Sequence, residues 1–197
     1  MKNRIILIVG TIHSGKSLCA KALNEIIGGQ IVDLDELLEK QTGKTPRELF
    51  IEGQVFFKKA EAHALASAIQ RQLPRQMPGP MPQTEGETLI IAAGGGIIDN
   101  DEAMALISEA KAQSAERQLI TVYLEISSET EWQRIEEASG DRGLPPLINT
   151  NNPKETHLAL HSRRTKAYKA VSGITIIAEN KSPEEIAGEI AEQLSKI

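Results

Sequence analysis

The sequence predicts a three-layer α/β fold in which parallel strands are covered on both faces by helices. Three observations point there. Short apolar runs alternate with helical patterns from one end of the chain to the other, as a helix-wound parallel sheet requires. The first apolar run passes through a glycine-containing loop directly into a helix. And 197 residues, 40% of them hydrophobic, supply one substantial core but not two.

Taken in order, residues 5–9 read as a buried strand and residues 16–27 as a helix stopped by Gly28 and Gly29. Residues 30–33 form a short second strand that ends in acids. Thr45, Pro46 and Glu48 have capping-box spacing with proline at the first helical position, and a helical pattern runs over about 54–73. The proline-rich stretch 73–86 reads as a surface excursion. A third strand over 89–93 ends in Gly94, Gly95 and Gly96, and residues from Asp99 to Glu102 are candidates to cap the next helix. The fourth strand covers 119–126, and Ser127 or Ser128 opens a helix through Trp132 and Ile135. Residues 139–154, rich in Gly, Pro and Asn, read as a flexible loop. A helix over 155–171 leads to a fifth strand over 174–178. Ser182, Pro183 and Glu185 then cap a last helix whose Ile186, Ile190 and Leu194 share one face.

Composition excludes several classes. A net charge of −5 and 3% aromatics offer neither a basic surface for nucleic acid or anionic membrane nor stacking platforms for bases. No apolar run approaches a membrane span, and the single Cys19 fits a reducing cytosol. The expectation is a cytoplasmic monomer.

Residues 10–17 read Gly-Thr-Ile-His-Ser-Gly-Lys-Ser, the full G-x-x-x-x-G-K-[ST] pattern between a strand and a helix. Successive N–H groups of Gly10, Thr11, Ile12, His13, Ser14 and Gly15 can surround a phosphate, with Lys16 reaching the β- and γ-phosphates of ATP. The Ser17 hydroxyl takes a place on Mg²⁺, and Leu18 continues the nucleotide contacts. His13 reads as a backbone donor with its side chain toward solvent. No guanine-binding N-K-x-D signature occurs, and the length suits a small-molecule kinase.

Asp33 and Asp35, two apart on an extended segment, project to one side near the loop end of the sheet. One can join the magnesium shell and the other accept a hydroxyl proton; equally, the pair can simply cap a following helix. The triple glycine either allows close approach to a ligand or makes a plain turn.

The chain resembles the shikimate kinases. In family order it carries the phosphate loop, Asp33/Asp35, Thr42-Gly43-Lys44, and Leu49-Phe50 with Gly53, Phe57, Lys58 and Glu61. Gly94–Gly96 and Arg164 with Tyr168 complete the series. The resemblance implies a P-loop fold of nucleoside-monophosphate-kinase type, strand order 2-3-1-4-5, as one domain over 1–197. Its substrate-binding helical region would cover about 34–73 and its lid about 139–154. It implies ATP-dependent phosphorylation of shikimate with Mg²⁺, Asp33 assisting the metal and Asp35 gripping the reacting hydroxyl as base. Lys58, Glu61, Gly94, Gly95, Gly96 and Arg164 would bind shikimate, with Glu61 orienting the base at 58, and Arg134 would stack on adenine.

Two positions depart from the family. Lys58 stands where the family has arginine, which removes the bidentate fork and predicts carboxylate binding weaker by about 1–3 kcal/mol. In the lid, Leu144 precedes Pro145 where the family has arginine, so Arg142 is the candidate for the phosphate-closing cation. These departures leave two other readings, a kinase of another small hydroxy acid or polyol and a nucleotide-binding regulatory module.

His157 and His161, four apart on a helix, have metal-ligand spacing, but no third ligand is evident and a helix surface is the plainer reading. Cys19 reads as core despite the nearby helix N-terminus. Trp132 reads as packing on the sheet, and the acidic run 129–137 as one solvated face.

Overall fold

The computed structural model describes residues 3–70, 88–112, 117–140 and 143–197. The proline-rich excursion, Asp141 and Arg142 lie outside them. The apolar runs form one five-stranded sheet in the order β2-β3-β1-β4-β5. The strands are β1 (Asn3–Val9), β2 (Gln30–Asp33), β3 (Thr88–Ala92), β4 (Arg117–Glu125) and β5 (Ile174–Ile177), and every pairing is parallel. This is the order that the resemblance implies.

Helices fill both faces because the strand side chains alternate between them. Ile5, Leu7 and Val9 of β1 join Leu89, Ile91 and Tyr123 in one core, covered by α2 (Leu34–Thr42), α4 (Gln54–Gln70) and α5 (Asp101–Ala112). Ile6, Ile8, Ile90 and Val122 face the other way, against Cys19, Ala20 and Leu23 of α1 (Lys16–Ile27) and Ile186, Ile190 and Leu194 of α8 (Pro183–Ser195). α3 (Pro46–Glu52) precedes α4, and α6 (Ser128–Ser139) and α7 (Pro153–Val171) flank the segment expected to be a lid.

The local signals resolve into specific caps. Thr45 and Ser182 each make a full capping box with a glutamate three residues on. Ser127, not Ser128, caps α6 by accepting from Thr130 N. At α5 the cap is Asn100, whose Oδ1 accepts from Ala103 N, which leaves Asp99 for other partners. α7 begins at Pro153, two residues before the expected start, because proline at the first turn loses no hydrogen bond. Within the expected loop, Pro146–Ile148 forms a 3-10 turn that buries Ile148 and packs against α3 and α7. Cys19 is fully buried and its thiol is pushed up to about 12 by burial, so it is core and unreactive.

Register brings the functional loops together. Asp33 lies opposite Ala92, and Ala92 opposite Ile8, so the phosphate loop, Asp33 and the triple glycine all leave the same carboxyl edge of the sheet. No described helix is long and apolar enough to cross a membrane.

Ile190 is fully buried between α8 and the sheet. Ile190→Ala is expected to lower unfolding free energy by about 2–5 kcal/mol in urea denaturation. A cost under about 1 kcal/mol would contradict this packing.

Candidate active site

Two adjoining cavities open at the carboxyl edge, one of about 630 Å³ and one of about 340 Å³. The larger is walled by the phosphate loop from Ile12 to Leu18, by Arg134, and by Ala178, Lys181 and Pro183 from the β5–α8 connection. Leu18, 58% exposed, is an apolar surface residue because it lines this cavity. Gly15 has φ 92°, the left-handed conformation that lets the loop turn into α1. His13 also adopts positive φ, 56°, with an exposed side chain, and its carbonyl accepts from Arg134 Nη1 at 2.8 Å. Arg134 is thus joined to the phosphate loop and is not a free helix-surface arginine.

Lys16 folds back over the loop, donating to Thr11 O at 2.7 Å and Ser14 Oγ at 3.4 Å. Burial pushes its ammonium down to about 8, opposed by the charges of Asp35, Glu131 and Asp33.

The acid pair works differently from an extended i, i+2 pair. The strand ends at Asp33, whose Oδ1 accepts from Asp35 N at 3.0 Å and Glu36 N at 3.4 Å and starts α2. Asp35 therefore sits in the first helical turn. Asp33 Oδ2 accepts from Ser17 Oγ at 2.5 Å, so the capping and phosphate-site readings hold for one residue at once. This juxtaposed hydroxyl and carboxylate, both hard oxygen donors, fit Mg²⁺. Asp35 lines both cavities. Protein crowding around it pushes its carboxyl up, with Asp33 adding and Lys16 opposing.

The triple glycine is no plain turn, because each residue lies against a different part of the site. A Cβ on Gly94 would stand 2.8 Å from Glu61 Oε1 and 3.2 Å from Asp35 Oδ1. One on Gly95 would meet Ile12 N at 2.9 Å, and one on Gly96 would meet Arg164 Nη2 at 2.9 Å.

The smaller cavity is lined by Asp35, Glu61, Gly94–Gly96, Arg164, Arg47, Phe57 and the lid residues 143 and 145–148. Arg164 is buried and held by Asp99, with Nε 2.9 Å and Nη2 2.8 Å from Oδ2; Arg163 Nη1 takes Oδ1 at 2.7 Å. Burial pushes the Asp99 carboxyl up, but these two guanidiniums outweigh it and hold it below its ordinary value. Tyr168, one turn after Arg164, stacks on Tyr123 at 5.3 Å and donates to Gly95 O, which accounts for the R-x-x-x-Y spacing.

Lys58 does not line either described cavity. It donates to Asp99 O at 2.5 Å, while its own carbonyl accepts from Asn100 Nδ2. Glu61 Oε2 is bonded to Asn100 Nδ2 at 2.9 Å, and Oε1 is buried without a partner. Burial raises Glu61 to about 7.

Several residues at the site are not marked by any functional motif. Arg47 of α3 donates to Gly143 O and Leu144 O at 3.3 and 3.1 Å, tying α3 to the segment that precedes the 3-10 turn. The sequence marks Asp99 and Asn100 as cap candidates, but the contacts of Asp99 with Arg164 and of Asn100 with Glu61 come from packing. Glu131 belongs to the run read as solvated, yet it is buried between His157 and His161; its position four residues before the buried Ile135 is the signal that marks that face. Both histidines are correspondingly buried, not on a helix surface. Trp132 packs on His157, ring centroids 5.3 Å apart, not on the sheet.

The chain matches the family model for shikimate kinase over residues 13–77 and 80–195. A shikimate kinase of Lactococcus lactis subsp. lactis is 30% identical over 189 residues, 95% of this chain and 96% of that protein. One from Corynebacterium efficiens is 27% identical over 98% of each chain. A solved structure of the Acinetobacter baumannii shikimate kinase in complex with shikimate has TM-score 0.76 at 23% identity, covering 100% of this chain and 94% of that one, a likeness of fold.

Two outcomes are expected. Gly95→Ala forces the third-strand loop away from the phosphate-loop backbone and should weaken ATP binding tenfold or more while lowering stability by about 1–3 kcal/mol, read by calorimetric titration and denaturation. For Glu61, the folded state keeps the proton up to about pH 7, whereas the unfolded chain releases it near 4.5. Its contribution is therefore largest below 4.5 and is lost as pH rises toward 7. Glu61→Gln should accordingly gain in thermal midpoint relative to wild type between about pH 5 and pH 8; a constant difference would remove Glu61 from the titration.

Proposed function

The chain belongs to the shikimate kinase family, and on that premise we propose how its residues transfer the γ-phosphoryl group of ATP to the 3-hydroxyl of shikimate. The products are ADP and shikimate 3-phosphate, and Mg²⁺ is required. The observation that carries the residue assignment is Asp35, the carboxylate common to both cavities.

In this reading the larger cavity takes ATP and the smaller one shikimate. Backbone N–H groups of Gly10 through Gly15 hold the phosphates, Lys16 turns its ammonium from Thr11 O onto the β- and γ-oxygens, and Ser17 and Asp33 hold the metal. Magnesium, when bound, would supply charge neutralisation for the transfer. Arg134 and Leu18 flank the nucleotide. Arg164 binds the shikimate carboxylate beside Gly94, Gly95 and Gly96, while Glu61 fixes the floor of the site through Asn100. Lys58 acts as a positioning residue, holding the Asp99 backbone on which Arg164 rests.

Asp35 accepts the proton of the 3-hydroxyl as its oxygen forms the new bond to phosphorus. The bond from that phosphorus to the bridging oxygen breaks, and the electron pair leaves with ADP. The helical region about 34–73 and the lid about 139–154 belong to one kinase domain. The phosphate-closing cation is assigned to Arg142 from its place in the sequence, and Arg47 holds the carbonyls of Gly143 and Leu144. A net charge of −5 weighs against nucleic acid or an anionic membrane surface as partner, and the proposed enzyme is a cytoplasmic monomer acting on free small molecules.

ADP release with MgATP should depend on shikimate and not on other small hydroxy acids or polyols. Turnover with a different acceptor alone, or ATP binding without any turnover, would overturn the reading. Asp35→Asn should cut turnover by about 10²–10⁴ with ATP affinity within a few-fold of wild type. Lost ATP affinity would instead move Asp35 into the metal shell.

A further inference from the structure

The reaction leaves one buried polar cluster unused. Glu131 of α6 and His157 and His161 of α7 each offer a ligand atom, all within 4.8 Å of one another. Glu131 Oε2 lies 2.6 Å from His161 Nδ1 and 3.1 Å from His157 Nε2. All three residues are at most 9% exposed. The His157 Nε2 atom is buried and faces that same carboxylate oxygen, with poor hydrogen-bond geometry.

From this geometry we propose that Glu131, His157 and His161 form a site for a divalent cation of the Zn²⁺ class, separate from the phosphate-site magnesium. Two imidazoles and one carboxylate are a three-ligand set for tetrahedral zinc, and imidazole selects zinc-class ions over magnesium. Glu131 and His157 also line the smaller cavity, so a solvent oxygen there can complete the fourth corner. The surroundings suit either state of His161. Without an ion, Nδ1–H donates to Glu131 and Nε2 faces Thr165 Oγ1 at 3.3 Å. With an ion, the Nδ1 lone pair binds it, Nε2–H donates to the same hydroxyl, and the threonine, which also accepts from Tyr123 OH, holds the ring in place. The cation would bind α6 to α7 at the two ends of the lid, whichever acceptor the enzyme uses.

The lone tryptophan, Trp132, is a local reporter because its ring packs on His157. Titrating the intact protein with Zn²⁺ should change its fluorescence with one equivalent bound, Kd below about 10 µM, and an increase in thermal midpoint. Co²⁺ should give the intense visible bands of a tetrahedral ion, undisturbed by millimolar Mg²⁺. His157→Asn and His161→Asn should each weaken binding more than tenfold, while Ser17→Ala should leave it unchanged. No binding at about 100 µM overturns the proposal, as does a pale octahedral Co²⁺ spectrum or a signal lost on adding Mg²⁺. Because the wild-type spectrum decides this alone, variants that fail to fold do not block the test.

Discussion

The site depends on what the two oxygens of Asp33 do. Oδ1 caps α2 and thereby fixes where Asp35 stands; Oδ2 accepts from Ser17, the residue that follows the phosphate-loop lysine. One carboxylate at the end of the edge strand β2 thus ties the phosphate loop to the helix that carries Asp35. Neither half can shift without breaking a charge-assisted hydrogen bond, and these are among the stronger polar contacts a protein makes. Because β2 pairs with β3 in register, the same tie sets the distance from the acid pair to the triple glycine.

Around this tie the molecule sorts its charges by burial. Lys16 is desolvated but lies near Asp35, Asp33 and Glu131, so its charge is drawn in two directions. Glu61, equally enclosed, has only an amide as hydrogen-bond partner and keeps its proton to near neutrality. Glu131 is pushed up by burial, yet the hydrogen bond from His161 and the charges of the two histidines hold it below its ordinary value. Three enclosed ionisable groups at one sheet edge therefore respond differently, each according to what stands within hydrogen-bond reach.

Much of this was legible in the chain. Gly10 to Ser17 announced its own geometry because the motif is local, its glycines, lysine and serine acting within one loop and one helix turn. The caps at Thr45 and Ser182 were readable for the same reason, and strand order came with the family motifs. What the sequence hid was contact between elements distant along the chain. Asp99 looked like a helix cap until Arg163 and Arg164, more than sixty residues later, claimed it. Glu131 sat among exposed acids, and beyond its spacing from Ile135 it is the packing of α6 on α7 that separates it from Glu129 and Glu137. Lys58 seemed to reach for a ligand by its place in the motif, but its chain length lets it find the Asp99 carbonyl first.

Asp99 also changes what ligand binding means here. A buried guanidinium left alone would cost several kcal/mol, and in this protein Arg164 is never left so, because a carboxylate of the chain already rests on it. Asp99 acts as a resident stand-in for an acid from outside. On the proposed role of Arg164, an incoming carboxylate would meet a cation whose dehydration was completed during folding, and would share or exchange a partner where an unprepared site would have to bury a fresh charge. Such a site gains selectivity from shape and donor geometry more than from raw attraction, and its affinity should be correspondingly insensitive to ionic strength.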